Sequence, residues 1–130
     1  MSPQLALLFW SLVLLQAKHF VCDFVLQTPY QKRNKGKYGH PGGLIHAGLH
    51  AVGALPAIVL LTRAPELIAA IAAAEGVAHY HIDWLKMAII RRRALSRDEM
   101  RYAIVTGADQ FLHQMGYVII LAVLVRAATS

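Results

Sequence analysis

The chain has 130 residues, of which 57% are hydrophobic, and a formal net charge of +6 at pH 7. That length allows one domain, and the apolar share exceeds the roughly half usual in soluble domains, which argues against an ordinary water-soluble fold. The lone cysteine, Cys22, excludes an internal disulfide and any thiolate metal cluster.

The first apolar segment runs from Leu5 to about Gln27. About 23 helical residues rise about 35 Å, enough to cross a hydrocarbon core of about 30 Å. The N-terminal MSPQ carries no basic region and no cleavage site follows the apolar run, so the segment reads as a retained span rather than a removed signal peptide. Its second half holds Gln16, Lys18, His19, Asp23 and Gln27, and Thr28-Pro29 ends it. Cys22 reads as a small buried hydrophobe.

Residues Tyr30 to Gly43, YQKRNKGKYGHPGG, read as a basic loop without an acid, with turn chemistry in HPGG. Leu44 to Thr62 is the second segment, in which Pro56 is a kink candidate and Gly48 and Gly53 permit close helix contact. Pro65 is well placed as a first helical residue, and the third segment covers residues 66–90. In RRRALSRDEMR, Ser96 and Glu99 have capping-box spacing. The fourth segment covers residues 102–125, and Arg126–Ser130 forms a polar tail.

The sequence therefore predicts one all-α domain, a four-transmembrane-helix antiparallel bundle. Nine of the 13 Lys and Arg residues lie in two connections: Lys32, Arg33, Lys35 and Lys37, then Arg91, Arg92, Arg93, Arg97 and Arg101. By the positive-inside rule these face the cytoplasm and both termini face outward, as expected for a multi-pass protein of the inner membrane. The basic residues then serve topology and contact with anionic lipid. Nucleic-acid binding is not expected.

All four segments carry ionisable pairs four residues apart: His19 and Asp23, His46 and His50, His79 and Asp83, Asp109 and His113. This spacing places each pair on one helix face. Such groups are costly in a membrane and need partners or a purpose. Asp83 and His79 lie roughly 10 and 16 Å before the end of the third span, and Asp109 and His113 equally far into the fourth. All eight fall in the cytoplasmic half, so inward-facing pairs would share one site.

Imidazole and carboxylate suit zinc, iron, manganese or nickel. Five histidines and three aspartates exceed one closed tetrahedral zinc shell, leaving groups for a second ion, a base or supporting contacts. Asp83 and Asp109 are the candidate catalytic residues of a metal-dependent hydrolase acting on a lipid-borne or amphipathic substrate. Two alternatives stay open. One is a hydrogen-bonded network that fixes helix register. The other is a proton or ion relay extended outward by Glu75, for which four helices are few unless the chain forms a homo-oligomer. Lys86 reads as an ion-pair partner or a snorkelling lysine, His81 as a packing residue, and His40 as a loop residue with no evident partner.

The runs HFVCDFVLQ, GGLIHAGLH, HYHIDWLK and ADQFLHQ, spread from His19 to Gln114, resemble the blocks of DUF3307, a family of small bacterial and phage membrane proteins. The resemblance implies a membrane location and carries no established activity. The chain is also distantly similar to His/Asp-rich inner-membrane proteins called metal-dependent hydrolases, although it lacks a clear HD dyad.

Overall fold

The computed structural model describes residues 1–128, and they are all-helical, with no strand. Helix α1 spans Pro3–Phe20 and continues as a π-helical turn, Val21–Val25. After it come α2 (Pro29–Asn34), α3 (Pro41–Val59), α4 (Pro65–Arg92) and α5 (Met100–Ala128). Proline opens four of these helices, at Pro3, Pro29, Pro41 and Pro65. Its missing N–H costs nothing at that position and its φ is already helical.

Several local expectations are corrected. The basic stretch from Tyr30 is not all loop, because α2 forms there. Thr28 Oγ1 accepts from Gln31 N at 3.3 Å, and Thr28 N donates to Gln31 Oε1 at 2.9 Å. That reciprocal box starts a helix from residues otherwise read as coil. HPGG is the start of α3 rather than a turn. His40, expected to lack a partner, caps α3 by accepting from Gly42 N at 3.1 Å. At the other connection Ser96 N donates to Glu99 Oε1 at 2.9 Å, half of the expected box, while the Ser96 hydroxyl donates to Asp98 and holds that carboxyl below its usual range. The expected tail Arg126–Ser130 is helical through Ala128, and Thr129 and Ser130 lie outside the described residues.

Among the described residues three helices are long and apolar enough to cross a membrane: Pro3–Val25, Pro41–Val59 and Met100–Ala128. Helix α4 has the length, with 28 residues, but Glu75, His79, His81, Asp83 and Lys86 interrupt its apolar run. Helix α1 packs on α3 and α5, α3 on α4, and α4 on α5. Helices α3 and α4 approach closely at Gly76 rather than at Gly48. A Cβ at Gly76 would stand 3.1 Å from Ala51 Cβ and 3.4 Å from the Ala47 carbonyl, whereas at Gly48 it would meet nothing.

The interior has two halves. Leu15, Ala54, Ala57, Ile58, Ile71, Tyr117, Ile120 and Leu124 form one apolar core. Towards the α2 end the buried residues are polar: Lys18, His19, His46, His50, His79, Asp83, Asp109 and His113. Meanwhile Phe9, Trp10, Phe20, Phe24, Val52, Phe111 and Ile119 are exposed. Polar inside and apolar outside is the reverse of a soluble bundle and suits a surface that faces hydrocarbon.

Candidate metal centre

Each long helix brings its polar groups to the interior by four-residue spacing. Helix α1 supplies His19, and the π turn carries Asp23. The His19 Nε2 to Asp23 Oδ2 distance is 3.2 Å. The turn is closed by Leu26 N donating to Val21 O at 2.9 Å; such turns recur at functional sites. Helix α3 supplies His46 and His50, α4 supplies Glu75, His79 and Asp83, and α5 supplies Asp109 and His113.

The structure brings all eight sequence-nominated residues into one continuous cluster. Asp23 Oδ1 lies 3.0 Å from His46 Nε2 and 3.3 Å from His50 Nε2, and His46 Nε2 lies 3.3 Å from His79 Nε2. Asp83 Oδ2 stands 3.3 Å from His46 Nε2 and 3.5 Å from His79 Nε2. His113 Nε2 faces Asp109 Oδ1 at 3.5 Å and Asp83 Oδ1 at 3.9 Å. The rings of His50 and His79 stack with centroids 3.4 Å apart, and those of His79 and His113 at 4.2 Å.

Three sets of these groups can hold a metal ion: Asp23, His46, His50 and His79; His19, His79 and His113; and Asp83, Asp109 and His113. They are not equivalent. In the third, Lys86 Nζ sits 3.1 Å from Asp83 Oδ1 and 2.8 Å from Asp109 Oδ2, and Lys35 Nζ sits 3.0 Å from Asp83 Oδ2. Two ammonium groups already neutralise the carboxylates of this set, which disfavours a further cation there. In the second, His19 is committed: its Nδ1 meets Tyr117 Oη at 2.7 Å and its Nε2 meets Gln110 Oε1 at 3.1 Å. In the first set no ammonium among the described residues pairs with the Asp23 carboxylate, and the one lysine in contact, Lys18, meets His50 at Nδ1 rather than Nε2. Three of the set's separations, at 3.0–3.3 Å, are close to the edge of about 3.3 Å of a tetrahedron with bonds of about 2.0–2.1 Å, and the four ligand atoms all lie within 4.8 Å of one another.

His46 Nε2 also lies 2.9 Å from Gln27 Nε2, so four groups surround one ring nitrogen that carries at most one proton. Direct hydrogen bonds cannot satisfy them all. Buried side-chain atoms without a hydrogen-bond partner among the described residues include His79 Nδ1, His113 Nε2, Asp109 Oδ1 and Glu75 Oε2. Asp83 Oδ2 is another, since its approach to Lys35 is a charge contact without good bond geometry.

Residues not nominated from the sequence complete the site. Lys18 forms a buried ion pair with Glu75 and also reaches His50 Nδ1 at 3.2 Å. Gln27 and Tyr117 continue the registers of Asp23 and His113 by four residues, a signal available in the sequence. Lys35 comes from the chain just after α2 and has no such signal. Lys86 behaves as the ion-pair partner expected. Cys22 is buried, with Sγ 3.6 Å from the Leu49 carbonyl. His81 is exposed and turned away from the cluster, its Nδ1 2.7 Å from Val77 O and its Nε2 3.3 Å from Tyr38 Oη.

No curated protein and no solved structure matches the chain. The family described as "Protein of unknown function (DUF3307)" matches residues 11–130, a span that includes all eight clustered residues and both basic connections. The chain belongs to the DUF3307 family.

Proposed function

We propose that the chain is a single-domain, four-span antiparallel bundle of the inner membrane that holds one divalent transition ion, zinc, iron or manganese, between Asp23, His46, His50 and His79. The observation that carries this reading is the convergence of one ligand atom from each of these four residues, mutually within 4.8 Å. The fourth span is α4, whose charged groups are turned inward onto partners. The basic connections face the cytoplasm and both termini face outward.

The chemistry favoured is hydrolysis. A bound ion of this kind lowers the pKa of a coordinated water toward about 7. Asp83 Oδ2 reaches the same Nε2 atoms of His46 and His79, so it would stand beside the ion as the base that accepts a proton. Asp109 holds Lys86 against Asp83. Metal analysis of detergent-purified protein, with zinc, iron and manganese each supplied during expression, tests the centre. About one ion per chain supports it; wild-type protein that retains none of the three would refute it.

A proton or ion pathway is the second reading, favoured by an unbroken chain of contacts. From Glu75 it passes through Lys18, His50, Asp23, His46, Asp83 and Lys86 to Asp109, and no step with a stated distance exceeds 3.3 Å. Metal-free protein whose proton flux in liposomes disappears with Glu75→Gln would select this reading.

A further inference from the structure

We infer that the groove between α4 and α5 is a binding site for an anionic phospholipid, its phosphate held by Arg93 and Arg101 and one acyl chain lying along the groove. The inference rests on the placement of the bundle in a membrane and is independent of the metal centre. Two adjoining cavities form the groove. The outer one, of about 420 Å³, is lined by Arg93 and Arg101 together with Ile89, Leu95, Ile104 and Val105. The next, of about 130 Å³, shares Ile89, Ile104 and Val105 with it and continues to Leu85 and Leu112. Lys86 and Asp109 also line this second cavity, but they are paired with each other at 2.8 Å, so the wall offered to a ligand is apolar.

The ends of the groove differ in charge as a lipid requires. Arg93 closes α4 and Arg101 lies in the first turn of α5, so both stand at the basic end of the molecule. Their guanidinium groups are exposed and have no hydrogen-bond or ion-pair partner among the described residues. The neighbouring carboxylates of Asp98 and Glu99 accept from Ser96 and form no ion pair with either arginine. Two unpaired guanidinium groups beside an apolar channel match a phosphate that precedes a hydrocarbon chain. The dimensions agree: Arg101 to Leu112 is about 16 Å along a helix, and half of the hydrocarbon core is about 15 Å. Free phosphate would satisfy the arginines but leave the channel below them open to one side of the bundle.

Native mass spectrometry of the detergent-purified chain tests this, with phosphatidylglycerol, phosphatidylcholine and inorganic phosphate added separately. Phosphatidylglycerol should be retained in preference to the other two. Arg93→Gln with Arg101→Gln should weaken its retention by about a hundredfold, from about 1.5 kcal/mol for each charge-assisted hydrogen bond lost. Arg92→Gln with Arg97→Gln removes the same charge outside the groove and should leave retention unchanged. Val105→Phe, which fills the channel without touching the arginines, should also weaken it. Equal losses from the two double variants would reduce the effect to diffuse charge attraction and overturn the site. So would equal retention of phosphatidylcholine, or of inorganic phosphate, or of phosphatidylglycerol by the Val105 variant. Metal content measured on the same samples separates the two proposals: metal-free protein that binds phosphatidylglycerol in this pattern refutes the centre and leaves the groove standing.

Discussion

The Nε2 atoms of His46 and His79 face one another 3.3 Å apart, and both side chains are 1% exposed. Two ring lone pairs cannot point at each other in a dry interior without a proton or a cation between them. Asp23 Oδ1 and the Asp83 carboxylate close on the same nitrogen of His46. This crowding is what a shared ion relieves, and it sets the first prediction.

His46→Ala and His79→Ala should each abolish metal retention, because each removes one of four converging ligands. His81→Ala should leave it unchanged, since His81 is exposed and turned toward Tyr38. Elemental analysis of the three variants beside wild type decides the matter. Retention in the His46 variant would move the ion to another set or remove it from the account.

Lys18→Met should be the most destabilising of the buried substitutions. It leaves the Glu75 carboxyl buried, 7% exposed, and without its ammonium partner, a loss of about 3–5 kcal/mol for a broken buried pair. Adding Glu75→Gln should restore most of that stability, because the unpartnered carboxyl is then gone. Unfolding in detergent measures both. A Lys18 variant as stable as wild type would mean the pair is not formed.

Helix contact supplies a paired test at two glycines. Gly76→Val should cost about 1–3 kcal/mol by overpacking against Ala51 and the Ala47 carbonyl. Gly48→Ala should be neutral or stabilising by about 0.5–1 kcal/mol, since a Cβ there meets nothing. The reverse order in thermal unfolding would place the α3–α4 contact elsewhere.

For topology, cysteines placed at Lys37 and Arg97 in a Cys22→Ser background should be labelled by a membrane-impermeant maleimide only from the cytoplasmic side. One placed at Arg63 should be labelled only from the other side. Labelling of all three from one side would contradict four spans, because Arg63 and Arg97 flank α4 and would then lie together.

The sequence by itself determined the helical class, the long apolar segments and the face on which each polar pair sits. Hydrophobic length and a four-residue spacing are local properties, and they survive whatever the helices pack against. It also carried the chain's family in the blocks around His19, His46, His79 and Asp109. Local signals failed where short-range capping competed with composition: Thr28 and Gln31 start a helix inside a basic stretch that otherwise reads as loop, and His40 caps α3. Tertiary structure decided how the eight clustered residues divide. The Asp83 and Asp109 carboxylates meet lysines, one of them from the distant chain after α2, whereas the Asp23 carboxylate meets His46 and His50. That division depends on which side chains reach across three helix interfaces. A spacing rule within one helix holds no information about the charge arriving from another.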